Sequence, residues 1–220
     1  MNVRVRRVTA DVVLPLRHAV LRTGRAWADA LYDADDDPLS AHFAAFATTR
    51  AEDAMVLADD TTVPADDTTV PADDTTLLAV GSVLPESPDW LAGDRSSGDR
   101  SSGDQKSGDR SSGDRSSGDQ SPAGRAAWRV RGMATRPDQR GSGIGGLVLA
   151  ALLDHVRTEG GRLVWCSARL GALTFYVRAG FVSRGDPGHV EGMGPHQTMW
   201  RHVEPAPSRG GGDVSLCGEL

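Results

Sequence analysis

An α/β or α+β fold, with helices packed on one mixed sheet, is what this chain predicts, and three features carry the prediction. Strand-like runs come first and give way to alternating strand-like and helix-like segments. A glycine cluster between Gly141 and Gly146 opens the longest stretch of helical periodicity. Two tandem-repeat tracts fall between predicted strands, and setting them and the C-terminal tail aside leaves roughly 150 residues, the size of one domain.

The elements follow in order. Asn2–Val8 (NVRVRRV) alternates and reads as a first strand with arginines on one face. Thr9 suits the N-cap of a helix over Ala10–Arg22, with Val12, Leu16, Ala19 and Val20 on one side. Pro15 inside it marks a kink or a late start. Ala41–Ala47, Thr76–Leu84 and Ala127–Thr135 read as strands. Ile144, Leu147, Val148, Ala151, Leu152, His155 and Val156 recur at the spacing of one helix face, which Gly160 and Gly161 end. Arg162–Ala168 is a short buried strand, Arg169–Gly180 a helix, and Phe181–Gly185 and Gln197–Val203 are closing strands.

Composition excludes several classes. Hydrophobic residues make up 39% of the chain, with no apolar run of the ~18 residues that a membrane span needs. The opening MNVRVRRVTADVVL lacks the uninterrupted apolar stretch of a signal peptide. The two cysteines, Cys166 and Cys217, argue against a disulfide framework and for a cytoplasmic setting. The net charge of −6 belongs to the repeats: Ala58–Thr76 carries −6 and Gly93–Ser121 carries −1, which leaves +1 for the remainder. Those tracts repeat ADDTTVP and GDRSS, look like slippage of the coding sequence, and hold too little apolar surface to repay ordering, so both read as disordered inserts. Each arginine of the second is matched by an aspartate, which argues against nucleic acid as a partner. The tail over 204–220 reads as disordered too, leaving one domain over 1–203.

The glycine turn is the functional feature. A turn between a strand and a helix N-terminus presents free N–H groups and the positive end of the helix dipole, and Arg140 adds a fixed charge. A Walker loop needs a lysine and a hydroxyl after its glycines, and neither is here. Gly141, Gly143 and Gly146 also satisfy GxGxxG, the dinucleotide turn, although RPDQR separates them from the strand; in that reading Arg169 would meet the 2′-phosphate of NADP. Glycines that merely permit a tight turn are the third reading.

Arg140-Gly141-Ser142-Gly143-Ile144-Gly145 resembles the R/Q-x-x-G-x-G/A pyrophosphate motif of the GNAT superfamily of N-acetyltransferases, and Phe175–Phe181 (FYVRAGF) resembles its FYxxxGF segment. LRHAVLR, RGMAT, LVWCSAR and GPHQTM look like a bacterial group of that superfamily with largely unassigned acceptors. Ser167 departs from the asparagine expected there, and the inserts are foreign to the pattern. The resemblance implies a mostly antiparallel sheet flanked by helices, acetyl-CoA as acetyl donor, and a primary amine of a small molecule or protein as acceptor. It implies that the Arg140–Gly145 turn (Arg140, Gly141, Ser142, Gly143, Ile144, Gly145) holds the pyrophosphate. Met133 and Thr135 would pair with the pantetheine arm, and the acetyl carbonyl would lie near Met133 and Ala134. Tyr176 is the catalytic acid by the same resemblance, against the alternative that Phe175 and Tyr176 simply pack the helix onto the sheet.

Other roles stay open. The general base could be His196, His42 or Glu86, or water could relay the proton. Arg17 and Arg22 read as solvated helix arginines, with recognition of an anionic acceptor as the alternative. Cys166, in a buried strand, reads as no nucleophile, and the histidines lack metal-ligand spacing. A non-catalytic acyl-CoA sensor is a further reading, and exposed sheet edges leave a homodimer open.

Overall fold

The computed structural model describes residues 2–48, 76–93, 126–190 and 192–204. The inserts expected at about 58–76 and 93–121 and the tail over 204–220 lie outside these residues, apart from Thr76, Gly93 and Glu204 at their edges. Seven strands form one sheet: β1 (Asn2–Val8), β2 (Ala41–Thr48), β3 (Thr76–Pro85), β4 (Ala127–Thr135), β5 (Leu163–Arg169), β6 (Val182–Val190) and β7 (Gly194–His202). Their order is β1-β2-β3-β4-β5-β7-β6, and every neighbouring pair is antiparallel except β4 with β5. A dinucleotide turn belongs to a doubly wound parallel sheet, so this topology removes that reading.

Among the described residues four helices accompany the sheet: α1 (Ala10–Leu21), the short α2 (Asp89–Gly93), α3 (Ile144–Thr158) and α4 (Leu173–Arg178). Alternate residues of β2 divide the core in two. Ala45 and Ala47 join Val148, Leu152 and Val156 of α3, whereas Ala44 and Phe46 join Val13 of α1. Helices therefore cover both faces of the sheet.

Local expectations hold with instructive shifts. Helix α1 starts at Ala10 and runs through Pro15, so the late start is not realised, and Thr9 takes the N-cap position without a side-chain bond. Its fully buried residues are Val13 and Arg17, with Val12, Leu16 and Val20 packed at the margin and Ala19 exposed. The buried face of α3 includes Leu149 and Leu153, while Leu147 is 49% exposed. Trp27–Ala30 forms a 3-10 turn that the sequence pattern did not announce.

Candidate active-site cleft

Strands β4 and β5 run side by side for only three matched pairs, Ala127–Leu163, Trp128–Val164 and Arg129–Trp165, and then part. On its other side β4 carries a bulge against β3: Ala134 faces Val80 and Arg131 faces Ser82, with Gly132 and Met133 both falling opposite Gly81. A bulge re-aims the residues it contains and ends regular pairing. Gly132 takes φ +60°, and a Cβ there would sit 2.8 Å from Nε of Arg17, so only glycine fits. Gly132 and Met133 are thus matched to neither neighbour strand at the point where the sheet opens.

A cleft of about 210 Å³ occupies this opening. Arg129–Met133 of β4 form one wall and Ser167–Arg169 of β5 another. Tyr176 of α4, His196 of β7, and Arg22 and Tyr32 beyond α1 complete it. Of the predicted site residues, the cleft contains Met133 and Tyr176. Ala134 is buried with its side chain in the α1-side core. Neither Ala134, Thr135 nor the Arg140–Gly145 turn lines the cleft.

The turn lies after β4 and is held by local bonds. Pro137–Gln139 makes a 3-10 turn, Arg136 pairs with Asp138 at 2.9 Å, and Ser142 Oγ donates to the Gln139 carbonyl at 2.6 Å. Gly141 and Gly143 adopt φ +81° and +87°, the left-handed region that favours glycine. Gly143 is the N-cap of α3, so no side chain satisfies the first N–H groups of that helix, and Ile144 anchors the helix in the core. A Cβ at Gly141 or Gly143 would meet no protein atom within 4 Å. Local packing therefore does not explain these glycines beyond their backbone angles. Thr135 Oγ1 would lie 2.8 Å from a Cβ at Gly145, which ties the end of β4 to the start of α3. Arg140 is exposed and forms no ion pair among the described residues.

Tyr176 is 6% exposed, with Phe175 and Phe181 edge-on at 5.0 and 5.4 Å. Burial, then the neighbouring Cys166 thiol, pushes its hydroxyl well above its ordinary pKa. The same residue thus packs α4 onto the sheet and faces the cleft. Burial also pushes the Cys166 thiol up to about 12, so it is protonated at neutral pH.

The three candidate bases separate clearly. Glu86 is committed to Arg129 at 2.7 Å. His196 lines the cleft, and its Nδ1 lies 2.9 Å from the Gly194 carbonyl, which can only accept. Nδ1 therefore carries the proton of the neutral ring, and Nε2 holds a lone pair. His42 is fully engaged: Nε2 donates to the Asp35 carbonyl at 3.1 Å, and Nδ1 accepts from Ser82 Oγ at 2.8 Å. Ser82 Oγ in turn accepts from Arg17 Nη2 at 2.8 Å.

Protonating His42 would break that relay, and burial holds its pKa below the ordinary 6.5. The unfolded chain then binds more protons than the folded one below 6.5. Stability is complete above that value and is lost as pH falls from it through the folded pKa. Half-buried His155 shifts the same way. Melting temperature is expected to decline as pH falls below about 6.5, less steeply in His42→Gln; equal slopes would remove His42 from the linkage.

Arginine burial is where the sequence reading fails. Arg17 is 0% exposed and Arg22 is 8% exposed, so neither is a solvated helix arginine. Arg17 Nη1 meets Asp35 Oδ2 at 2.6 Å and the Ala30 carbonyl at 3.1 Å. Asp35 Oδ2 also accepts from the Tyr32 N–H at 3.0 Å. The guanidinium of Arg17 stands 4.3 Å from the Tyr32 ring, which fixes that ring as part of the cleft wall. The signal was available: Arg17 lies four residues after Val13, on the face that packs against the sheet.

Comparison with known proteins bears on the fold and on residues 116–181. Residues 116–181 match the acetyltransferase (GNAT) family model. The uncharacterized N-acetyltransferase YitI of Bacillus subtilis (strain 168) is 30% identical over 76 residues, 34% of this chain and 51% of that protein. The chain thus aligns with about half the length of this curated relative. In three dimensions it is similar to a candidate N-acetyltransferase from Lactobacillus plantarum (TM-score 0.55, 15% identity, 93% of this chain and 100% of the other). It also resembles FeeM, an N-acyl amino acid synthase from uncultured soil microbes (TM-score 0.54, 12% identity, 92% and 91% coverage). At such identities the structural likeness speaks to the fold. No helix among the described residues is long and apolar enough to cross a membrane. The family match and the curated relative together make part of the chain, residues 116–181 above all, similar to the GNAT family.

Proposed function

We propose that the protein is an acetyl-CoA-dependent N-acetyltransferase acting on a primary amine. The observation that carries the reading is the parting of β4 from β5 at Arg129, with the uncapped glycine turn of α3 at the end of the same strand. An extended ligand arm would fit beside β4 in the gap, using the backbone of Met133 and Thr135 as an added strand would. Its pyrophosphate would meet the free N–H groups at Gly143, Ile144 and Gly145, where Arg140 adds positive charge. The empty space above Gly141 and Gly143 is the room such a group requires.

Bound there, acetyl-CoA supplies an acetyl group already activated as a thioester. The backbone at Met133 and Ala134 would place an N–H near the acetyl oxygen and stabilise the charge it gains. His196 Nε2, free to accept, would take the proton of the attacking amine. Tyr176, kept protonated by burial, would donate to the departing sulfur.

Titration calorimetry of the full chain with acetyl-CoA, NADPH and ATP tests the proposal. Micromolar binding of acetyl-CoA alone is expected; a folded sample that ignores acetyl-CoA would end the acetyltransferase reading. Tyr176→Phe is expected to lower kcat by about a hundredfold, within the usual span for a general acid, with acetyl-CoA affinity unchanged. Unaltered turnover would leave Tyr176 a packing residue.

The homodimer is proposed through a face other than the β6 edge. Strand β6 is exposed almost throughout, but Gly185, Pro187 and the register shift between Arg184 and Gly188 make it a poor template for strand addition. Light scattering of the full chain reads its mass.

A further inference from the structure

The cleft is strongly one-sided in charge. Arg22, Arg129, Arg131 and Arg169 line it, and no aspartate or glutamate among the described residues does. Three of these arginines are committed elsewhere. Arg129 pairs with Glu86 at 2.7 Å, Arg22 donates to the Asp29 and Leu21 carbonyls at 2.8 and 3.1 Å, and Arg169 donates to the Leu21 carbonyl at 2.9 Å. Arg131 differs. It is partly buried yet has no hydrogen bond or ion pair among the described residues. Its guanidinium lies 4.2 Å from the Tyr32 ring, which Arg17 and Asp35 hold in place.

A guanidinium stays charged at any physiological pH and presents a planar fork of donors matched to a carboxylate or phosphate. Stacking on Tyr32 orients that fork without consuming its N–H groups. A partly dehydrated cation with uncommitted donors is costly by itself, and an incoming oxyanion offsets the cost. The position also excludes the pyrophosphate as its partner. Arg131 faces Ser82 on one side of the bulge, whereas Thr135 and the glycine turn lie on the other.

Resting on the acetyltransferase reading above, we infer that Arg131 selects the acceptor, which is a small amine that also carries an oxyanion, a carboxylate or a phosphate. Arg131 holds the oxyanion while the amine faces His196 and Tyr176 on the opposite wall. A cleft of about 210 Å³ suits a molecule of amino-acid size. In this role Arg131 is a specificity residue, remote from the bond that breaks.

Matched probes test it. Thiol release from acetyl-CoA is followed with free amino acids against their carboxamides, and with phosphoethanolamine against ethanolamine. The first pair reports carboxylate recognition and the second phosphate recognition. The oxyanion-bearing member of at least one pair is expected to be favoured about tenfold or more in kcat/KM, the scale of one hydrogen bond to a charged group. Arg131→Gln is expected to erase that preference through KM, with acetyl-CoA affinity and melting temperature retained, and Arg131→Lys to restore part of it. Preference for the neutral members, a preference that survives Arg131→Gln, or no turnover of any probe by protein that binds acetyl-CoA would each overturn the inference. Failure of the unaltered protein to bind acetyl-CoA would instead take down the acetyltransferase reading, and this inference with it.

Discussion

Gly143→Trp is expected to abolish measurable acetyl-CoA binding while leaving the protein folded. Gly143 holds φ +87° at the N-cap of α3, and a Cβ there meets no protein atom within 4 Å. An indole therefore finds space in the free protein, at a cost of about 1–2 kcal/mol for a side chain in the left-handed region. That same space is the approach to the uncapped N–H groups of the helix. Losing two bonds from a charged phosphate to such donors weakens binding by about a hundredfold or more, since each is worth about 1.5–3 kcal/mol. Calorimetry with acetyl-CoA and a melting curve read both halves. Near-normal affinity in the folded variant would mean that the glycine turn serves no pyrophosphate.

Asp35→Ala is expected to be strongly destabilising, by removing the support behind the cleft wall. Arg17 is 0% exposed, and Asp35 is its sole carboxylate partner among the described residues, at 2.6 Å. Nε of Arg17 already lacks a partner among those residues. Removing the carboxylate leaves a buried guanidinium uncompensated, which costs about 3–5 kcal/mol. For a domain of this size that lowers the melting temperature by roughly 10 °C or more. The Tyr32 N–H loses an acceptor in the same step, so the wall that orients Arg131 loosens. Replacing both partners, as Arg17→Met with Asp35→Ala, is expected to recover part of the loss, because no charge is then stranded. A melting temperature within about 2 °C of the unaltered protein in Asp35→Ala would show that water reaches Arg17.

The division between sequence and tertiary structure follows the range of the interactions. Strands β2, β3 and β4, the glycine-opened helix α3 and the stop at Gly160 were readable because alternation, helical spacing and positive φ are properties of neighbouring residues. The turn Arg140–Gly145 was readable for the same reason, being one continuous segment whose chemistry is its own backbone. The cleft was not. Its walls come from β4 and β5, which part after Arg129 and Trp165, and from a segment near Tyr32 that α1 carries against them. Helical spacing puts Arg17 on the sheet-facing side of α1, but the partners that make its burial tolerable, Asp35 from across a loop and Ser82 from β3, are far away in sequence. Nor does the order of strands announce that β7 lies between β5 and β6, which puts His196 opposite Arg169. The sequence by itself determined most of the elements and the glycine turn that opens α3, because hydrogen bonding and steric limits act within a few residues. Tertiary packing decided which side chains are buried, which charges are paired and which cleft guanidinium has no partner among the described residues, because those depend on partners that meet only when the sheet has formed.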